Sequence, residues 1–297
     1  MTGLLPDFAF RVTAHDRLTD RRKDTAFLEA AWQNPATGVL VMKDEELAAD
    51  GDALMVVTSS AAPHGERLLL GAVDDTAYFV TLVDDGDTST EGFAFASLRH
   101  LAATLGEREL SLAVHAIALG GWHRRHPMCS ACGARTEIAE GGASRTCPNC
   151  STQHFPRTDP AVIMLVVDEE GRCLLGHNGA RASGWFSTLA GFVEPGESLE
   201  EAVAREVLEE TSVVVTDVTY AGSQPWPFPS SLMLGFLAKA STVDIRVDGE
   251  EITEARWFTR DELAAEVEAG DLVVPTTLSI AGALLSHWYG GPLPRRT

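Results

Sequence analysis

The stretch Leu189-Ala-Gly-Phe-Val-Glu-Pro-Gly-Glu-Ser-Leu-Glu-Glu-Ala-Val-Ala-Arg-Glu-Val-Leu-Glu-Glu-Thr-Ser-Val213 decides how the C-terminal half of the chain is read. Ser198 followed three residues later by Glu201 is a capping box, which predicts a helix from Leu199 to about Thr211. At about 100° per residue, Leu199, Ala202, Val203 and Val207 share one face. Glu206 and Glu210 fall in the middle of that apolar stripe, and Arg205 and Glu209 lie on its flank. Two carboxylates one turn apart on an inward face repel each other and lose hydration, at a cost of several kcal/mol unless a cation lies between them. A divalent metal is the simplest such cation. Glu200 and Glu201 point outward, where a solvated acidic face near a helix N-terminus is sufficient explanation. Gly191 and Gly196 mark a loop whose backbone can approach a ligand closely.

The surrounding sequence reads as α/β. Ala161–Val167 is a continuous apolar run of strand formers, and Asp168-Glu-Glu-Gly171 turns it into a second strand from Arg172 to Gly176. Cys173 belongs to that second strand as a small buried hydrophobe, with no activating base beside it. Further strands are expected at Val213–Tyr220, Leu232–Ala240 and Ala255–Phe258. Helices are expected at Arg260–Ala269, where Thr259 and Glu262 form another capping box, and at Leu278–His287.

Upstream, Cys129-Ser-Ala-Cys132-Gly and Cys147-Pro-Asn-Cys150 are two knuckles that each converge two thiolates. Together they supply a closed four-sulfur tetrahedral site, a zinc ribbon holding one structural Zn²⁺ per subunit. Four buried or redox cysteines would not explain the paired knuckles. His123, His126 and His154 flank the site and are read as surface residues or as partners of the thiolates.

Residues 53–83 read as three short strands, Ala53–Thr58, Arg67–Val73 and Ala77–Val83, in an antiparallel meander. Helical patterns follow at Phe95–Leu105 and Leu110–Leu119. The expected organisation is an α+β N-terminal domain over residues 1–122, a ribbon over 123–156 and an α/β domain over 157–297.

The 297-residue chain carries 23 Lys and Arg against 43 Asp and Glu, a net charge of −20. That balance excludes a generic electrostatic grip on nucleic acid or anionic membrane. Only residues 123–156, with Arg124, Arg125, Arg135 and Arg145, are net positive, the one basic segment of the chain. No apolar run approaches the ~18 residues of a membrane span and no secretory leader is evident. A cytoplasmic location is expected.

The segment Gly191…Glu197…Arg205-Glu206-Val207-Leu208-Glu209-Glu210-Thr211-Ser212-Val213 closely resembles the Nudix box, G-x5-E-x7-R-E-U-x-E-E-x-G-U, where U is bulky and aliphatic. One defined position departs: Ser212 stands where the box has glycine, which bears on the turn after the helix rather than on the carboxylates. The resemblance implies a Nudix α/β/α sandwich with a mixed sheet and Mg²⁺- or Mn²⁺-dependent hydrolysis of a nucleoside diphosphate linked to another moiety. Ser223-Gln-Pro-Trp-Pro-Phe-Pro-Ser-Ser231 resembles the signature that follows the box in NADH pyrophosphatases, a group that also removes NAD caps from RNA. Its prolines stiffen the backbone, so Trp226 and Phe228 are presented at low entropic cost as flat surfaces for a base or nicotinamide.

The resemblance assigns metal ligation to Glu206, Glu210, the Ala190 carbonyl and a later glutamate, Glu251 or the competing Glu254. Glu209 becomes a further ligand or the general base. Gln224, Pro225, Trp226, Pro227, Phe228, Pro229, Ser230 and Ser231 are expected to line the dinucleotide site, joined by Phe155, Ala281 and Arg99. The implied reaction cleaves the pyrophosphate of NADH or NAD⁺ to AMP and nicotinamide mononucleotide, in a homodimer, with NAD-capped RNA as a further substrate. The competing readings are a Nudix hydrolase of ADP-ribose or dinucleoside polyphosphates, and a non-catalytic nucleotide sensor.

Overall fold

The structure is a computed structural model that describes residues 5, 8–10, 14–84 and 86–296. The chain forms two compact units. One contains Asp159–Trp226, the chain from Ser231 onward and the described part of the first eleven residues; the other contains the residues up to Thr158 together with Pro227–Ser230. Among the described residues no helix is long and apolar enough to cross a membrane.

The C-terminal unit is built on strands β1 (Asp159–Val167), β2 (Cys173–Asn178), β3 (Leu189–Phe192), β4 (Val215–Trp226), β5 (Ser231–Ala240) and β6 (Ile252–Phe258), with helices α1 (Leu199–Thr211), α2 (Arg260–Ala269) and α3 (Ile280–Tyr289). The sheet runs β4-β5-β1-β2-β6, with β3 added on β1. Its β1–β5 pair is parallel and the others antiparallel, so the sheet is mixed as expected. The continuous apolar run of β1 is explained by burial on both faces. Val162, Met164 and Val166 pack with Ala202, Val203 and Val207 of α1, whereas Ile163 and Leu165 pack with Leu263 of α2 and Leu284 of α3. Cys173 is fully buried on the second face, and burial pushes its thiol well above the ordinary range. The helices around 260 and 280 and the strands around 215, 235 and 255 form near the expected residues. Leu189–Phe192, read as loop, is a strand: its glycine and aromatic masked a register set by β1.

In the N-terminal unit the expected three-strand meander is replaced by a seven-stranded sheet. Its centre is Gly38–Lys43, which runs parallel to Thr76–Leu82 and antiparallel to Glu46–Asp50. The hairpin of Glu66–Val73 with Thr76–Leu82 forms as expected, but Ala53–Thr58 divides into two short strands that pair elsewhere. The segment read as a helix over Phe95–Leu105 begins as a strand, Ala94–Ser97, because Phe95 and Ala96 pair with Ala48 and Leu47. Only Leu98–Leu101 is helical there. The helix read at Leu110–Leu119 extends over Glu107–Arg125. Gly120 lets it close on the sheet, since a Cβ there would stand 2.4 Å from the Met42 sulfur.

The ribbon is a three-stranded sheet of Glu137–Ala139, Ser144–Thr146 and Gln153–His154. In each knuckle a residue at positive φ, Gly133 (74°) or Ser151 (58°), returns its N–H to the first cysteine's carbonyl at 2.9 Å. The four sulfurs lie within 4.8 Å of one another, with Cys129–Cys150 at 3.6 Å and Cys132–Cys147 at 3.5 Å. Zn–S bonds of about 2.3 Å place tetrahedral sulfurs about 3.8 Å apart, so the donor set fits Zn²⁺. His154 sets its Nε2 3.3 Å from Cys129 Sγ. His123 is not a surface residue: it is buried between the Gly142 carbonyl, 2.7 Å from Nε2, and Arg145 Nη1, 2.8 Å from Nδ1.

Two outcomes follow from this unit. Chelating zinc under reducing conditions lowers the thermal midpoint and opens residues 127–155 to protease, because ligand binding energy is folding energy in such a module. An unchanged midpoint after stoichiometric zinc release overturns that assignment. Burial holds His123 down to about 4 from an ordinary 6.5. A depressed histidine contributes stability that is present above pH 6.5 and lost as pH falls through about 4. Urea midpoints across that window should fall, and less so in His123→Gln, which keeps a neutral donor and acceptor; equal falls in both proteins contradict this.

Candidate active site

Helix α1 starts at the capping box read from sequence: Ser198 Oγ accepts the Glu201 N–H at 3.3 Å and Glu201 Oε2 accepts the Ser198 N–H at 2.9 Å. The helix ends at Ser212, which adopts the left-handed conformation (φ 61°) that the box reserves for glycine. Its hydroxyl donates to the Arg246 carbonyl at 3.1 Å, a bond glycine could not make. The departure is therefore absorbed at the helix end, away from the carboxylates.

The apolar stripe is buried as read, and Glu210 goes with it, 4% exposed. Glu206 is packed against backbone. Register pairs Ala190 with Ile163 and Gly191 with Val162, and a Cβ on Gly191 would fall 1.9–2.2 Å from the Glu206 carboxyl atoms. Glycine is thus required by a close approach. Arg205 ties the edge of the site together. Its Nε donates to Glu197 Oε1 (2.7 Å), its Nη1 to Glu206 Oε1 (2.9 Å) and Glu209 Oε2 (3.0 Å), and its Nη2 to Glu197 Oε2 and the Phe192 carbonyl (both 2.9 Å). The guanidinium holds the Glu197 carboxyl down to about 2.

That single cation does not neutralise the site. Burial, then the charges of Glu206, Glu251, Asp248 and Glu209, push Glu210 up to about 8, and burial also raises Glu206 against the pull of Arg205. Glu210 Oε2 is buried and makes no hydrogen bond. A buried, unpaired carboxylate in a field of other carboxylates is the donor environment a hard divalent cation needs. Among the described residues only the four cysteines bring three or more ligand atoms within 4.8 Å of one another; the carboxylates stand wider apart.

Glu251 sits in a turn organised by Asp248, whose carboxylate accepts the N–H groups of Glu251 (3.2 Å) and Ile252 (2.9 Å). The charge of Glu251 reaches Glu206 and Glu210, whereas that of Glu254 bears on Arg256. Asp248 was not singled out from sequence, although Asp248-Gly249 is a recognisable turn pair. Phe192, next to Gly191 and not singled out from sequence, is 60% exposed.

The signature segment forms a hairpin. Gln224–Trp226 complete β4, Ser231 opens β5, and Pro227–Ser230 form the turn, which belongs to the N-terminal unit. Gln224 is fully buried with its amide spent on the protein: Nε2 donates to the Ala9 (2.7 Å) and Leu278 (3.0 Å) carbonyls, and Oε1 accepts the Ile280 N–H at 2.8 Å. Trp226 meets Phe10 edge-on at 5.7 Å. In the N-terminal unit the Arg99 guanidinium lies 4.3 Å over the Phe228 ring, so those two predicted residues are brought together. Pro225 and Pro229 are exposed, Pro227 is buried, and Ser230 and Ser231 are half-buried. Phe155 is 63% exposed, and Ala281 is buried in the α3 core.

The basic patch read from the ribbon segment does not form as such. Arg145 is 1% exposed, with hydrogen bonds to Thr136 and His123. Arg124 donates to the Val83 carbonyl, and Arg125 to Glu45 and the Pro229 carbonyl. Arg125 and Arg135 are exposed, and Arg125 is already paired with Glu45. Charge counted along a sequence does not distinguish solvated arginines from buried ones.

Comparison with known proteins accords with this geometry. The NUDIX domain family matches residues 157–275, the NADH pyrophosphatase zinc ribbon domain matches 124–155, and the NADH pyrophosphatase-like rudimentary NUDIX domain matches 8–122. The NAD-capped RNA hydrolase NudC of Mycobacterium bovis is 37% identical over 290 residues, 92% of each chain. The NAD-capped RNA hydrolase NUDT12 of Homo sapiens is 44% identical over 196 residues; the match covers 62% of this chain and only 42% of that protein's length. A NUDIX hydrolase crystal structure from Nitrosomonas europaea superposes with a TM-score of 0.43 at 27% identity, over 56% of this chain and 95% of that one. With a box-bearing sandwich, a four-cysteine ribbon and a relative matched over nearly its whole length, the chain belongs to the NADH pyrophosphatase-like family of Nudix hydrolases.

Proposed function

We infer that the chain hydrolyses the pyrophosphate of NADH or NAD⁺ to AMP and nicotinamide mononucleotide, and removes NAD caps from RNA by the same cleavage. The observation that carries the inference is the buried, unpaired Glu210 oxygen in the field of Glu206 and Glu251, which calls for divalent cations beside a polyanionic substrate. The nicotinamide dinucleotide is supported by the signature hairpin and by relatives named as NAD-capped RNA hydrolases.

Bound Mg²⁺ or Mn²⁺ supplies charge neutralisation of the pyrophosphate and an acidified water. Glu206, Glu210, Glu251 and the Ala190 carbonyl would hold the ions, and Glu254, whose charge bears on Arg256, is the weaker choice. Glu209, 59% exposed and oriented by Arg205, would accept a proton from the attacking water. Trp226, Phe228, Arg99 and the exposed Phe155 and Phe192 offer stacking surfaces for base and nicotinamide rings. Gln224, its amide bonded within the C-terminal unit, and Ala281, buried in the α3 core, would act by supporting that binding surface rather than by stacking. A homodimer is the assembly the family resemblance supports. A cytoplasmic setting accords with five free cysteines, four of them grouped as metal ligands.

Product analysis with NADH, NAD⁺, NAD-capped RNA and ADP-ribose, each with Mg²⁺ and Mn²⁺, tests the reading. AMP and the mononucleotide are expected from the first two, with NAD-capped RNA cleaved at the same bond; turnover of ADP-ribose equal to or above that of NADH removes the nicotinamide assignment. Glu210→Gln should lower kcat by about 10²-fold or more if the carboxylate holds a catalytic cation. Retention of full activity excludes that role.

The metal-free protein has a further signature. A carboxyl raised from 4.5 to about 8 contributes stability below pH 4.5 that is lost as pH rises through about 8. The thermal midpoint of the metal-free protein should therefore fall across that window, and Glu210→Gln or added Mn²⁺ should flatten the fall. A midpoint insensitive to both rules it out.

A further inference from the structure

The turn of the signature hairpin contains an acceptor with few local donors. Prolines at 225, 227 and 229 remove three backbone N–H groups from the segment, so its carbonyls depend on donors from elsewhere. Arg125, the last residue of the helix Glu107–Arg125, supplies one: its Nη2 donates to the Pro229 carbonyl at 3.0 Å. Its Nη1 donates to Glu45 Oε1 in a close ion pair. Gly121, one turn earlier, leaves the space for this, because a Cβ there would stand 3.0 Å from both Arg125 Nη atoms and from Glu45 Oε1.

Glu45 reaches that position through a strained turn. Asp44 and Glu45 are the two residues connecting the strands Gly38–Lys43 and Glu46–Asp50, and both have positive φ, 48° and 63°. Asn-Gly adopts such a hairpin turn with least strain, and other residues there cost about 1 kcal/mol each. The turn nevertheless carries two carboxylates, Asp44 3.7 Å from Arg124 and Glu45 against Arg125. A half-exposed ion pair contributes little to stability, so folding alone does not account for this arrangement.

We propose that Arg125, oriented by Glu45, is a positioning residue for the hydrolysis: by holding the Pro229 carbonyl it holds the turn that presents Phe228 under Arg99, and so sets affinity for the nicotinamide dinucleotide. This rests on the reading that the signature hairpin binds substrate.

Steady-state kinetics with NADH and Mn²⁺ on the full chain test it. Losing a hydrogen bond from a charged donor should raise KM about tenfold in Arg125→Ala, with kcat within about threefold. The thermal midpoint should move by no more than about 3 °C. Glu45→Ala should raise KM in the same direction, and Glu45→Gln, whose amide oxygen still accepts from Arg125, should restore most of the affinity. An unchanged KM in Arg125→Ala overturns the proposal, as does a KM rise that Glu45→Gln does not relieve relative to Glu45→Ala. Should Arg125→Ala fail to fold, the Glu45 pair decides alone. Phe228→Ala separates the two readings. If it raises KM while Arg125→Ala does not, the hairpin binds substrate and the clamp is wrong; if neither Phe228→Ala nor Trp226→Ala changes KM, the substrate role of the hairpin fails and the clamp with it.

Discussion

Removing the Glu210 carboxylate from water costs several kcal/mol unless a cation meets it, and the C-terminal unit is organised around that constraint. Helix α1 turns its glutamates inward because they share a stripe with Val203 and Val207, which the sheet must bury. Gly191 lets the strand close to within contact of Glu206. Arg205 stabilises the rim by pairing with Glu197, Glu206 and Glu209, but leaves the buried oxygen of Glu210 unmet. The same field that makes this arrangement unfavourable when metal-free is the kind that attracts hard cations, on a chain whose net charge is −20.

The ribbon and the N-terminal sheet solve a different problem. Four thiols at tetrahedral spacing let a small module with little apolar core hold its shape through metal ligation. Beside it, Arg145 is buried with its donors spent on Thr136 and neutral His123. Arg124, Arg125 and Arg145 are thus used to join elements of the unit.

The active helix, its caps and its inward carboxylates were legible in the sequence because each depends on residues within one or two turns of each other. The same holds for the two cysteine knuckles and for the central strand β1 of the Nudix sheet, whose apolar run is buried on both faces. Reading failed where pairing was distant. Gly38–Lys43 went unrecognised as the central strand, and Phe95 looked helical by periodicity until Ala48 claimed it as a strand partner. Gln224 reads as a substrate contact in its motif, yet its amide joins Ala9, Leu278 and Ile280.

The sequence by itself determined the chemistry on offer: four thiolates for zinc, the glutamates of the box, and a proline-stiffened pair of aromatics, all set by short spacings that survive any arrangement of the rest. Tertiary structure decided which of those groups are available and what holds them. It left Glu210 Oε2 buried without a hydrogen bond, buried Gln224 and Arg145 with their polar groups bonded to the protein, set the charge of Glu251 against Glu210 and that of Glu254 against Arg256, and brought Arg125 from 104 residues away to the Pro229 carbonyl. Burial and long-range hydrogen bonding depend on how sheets and helices stack, and no local spacing records that.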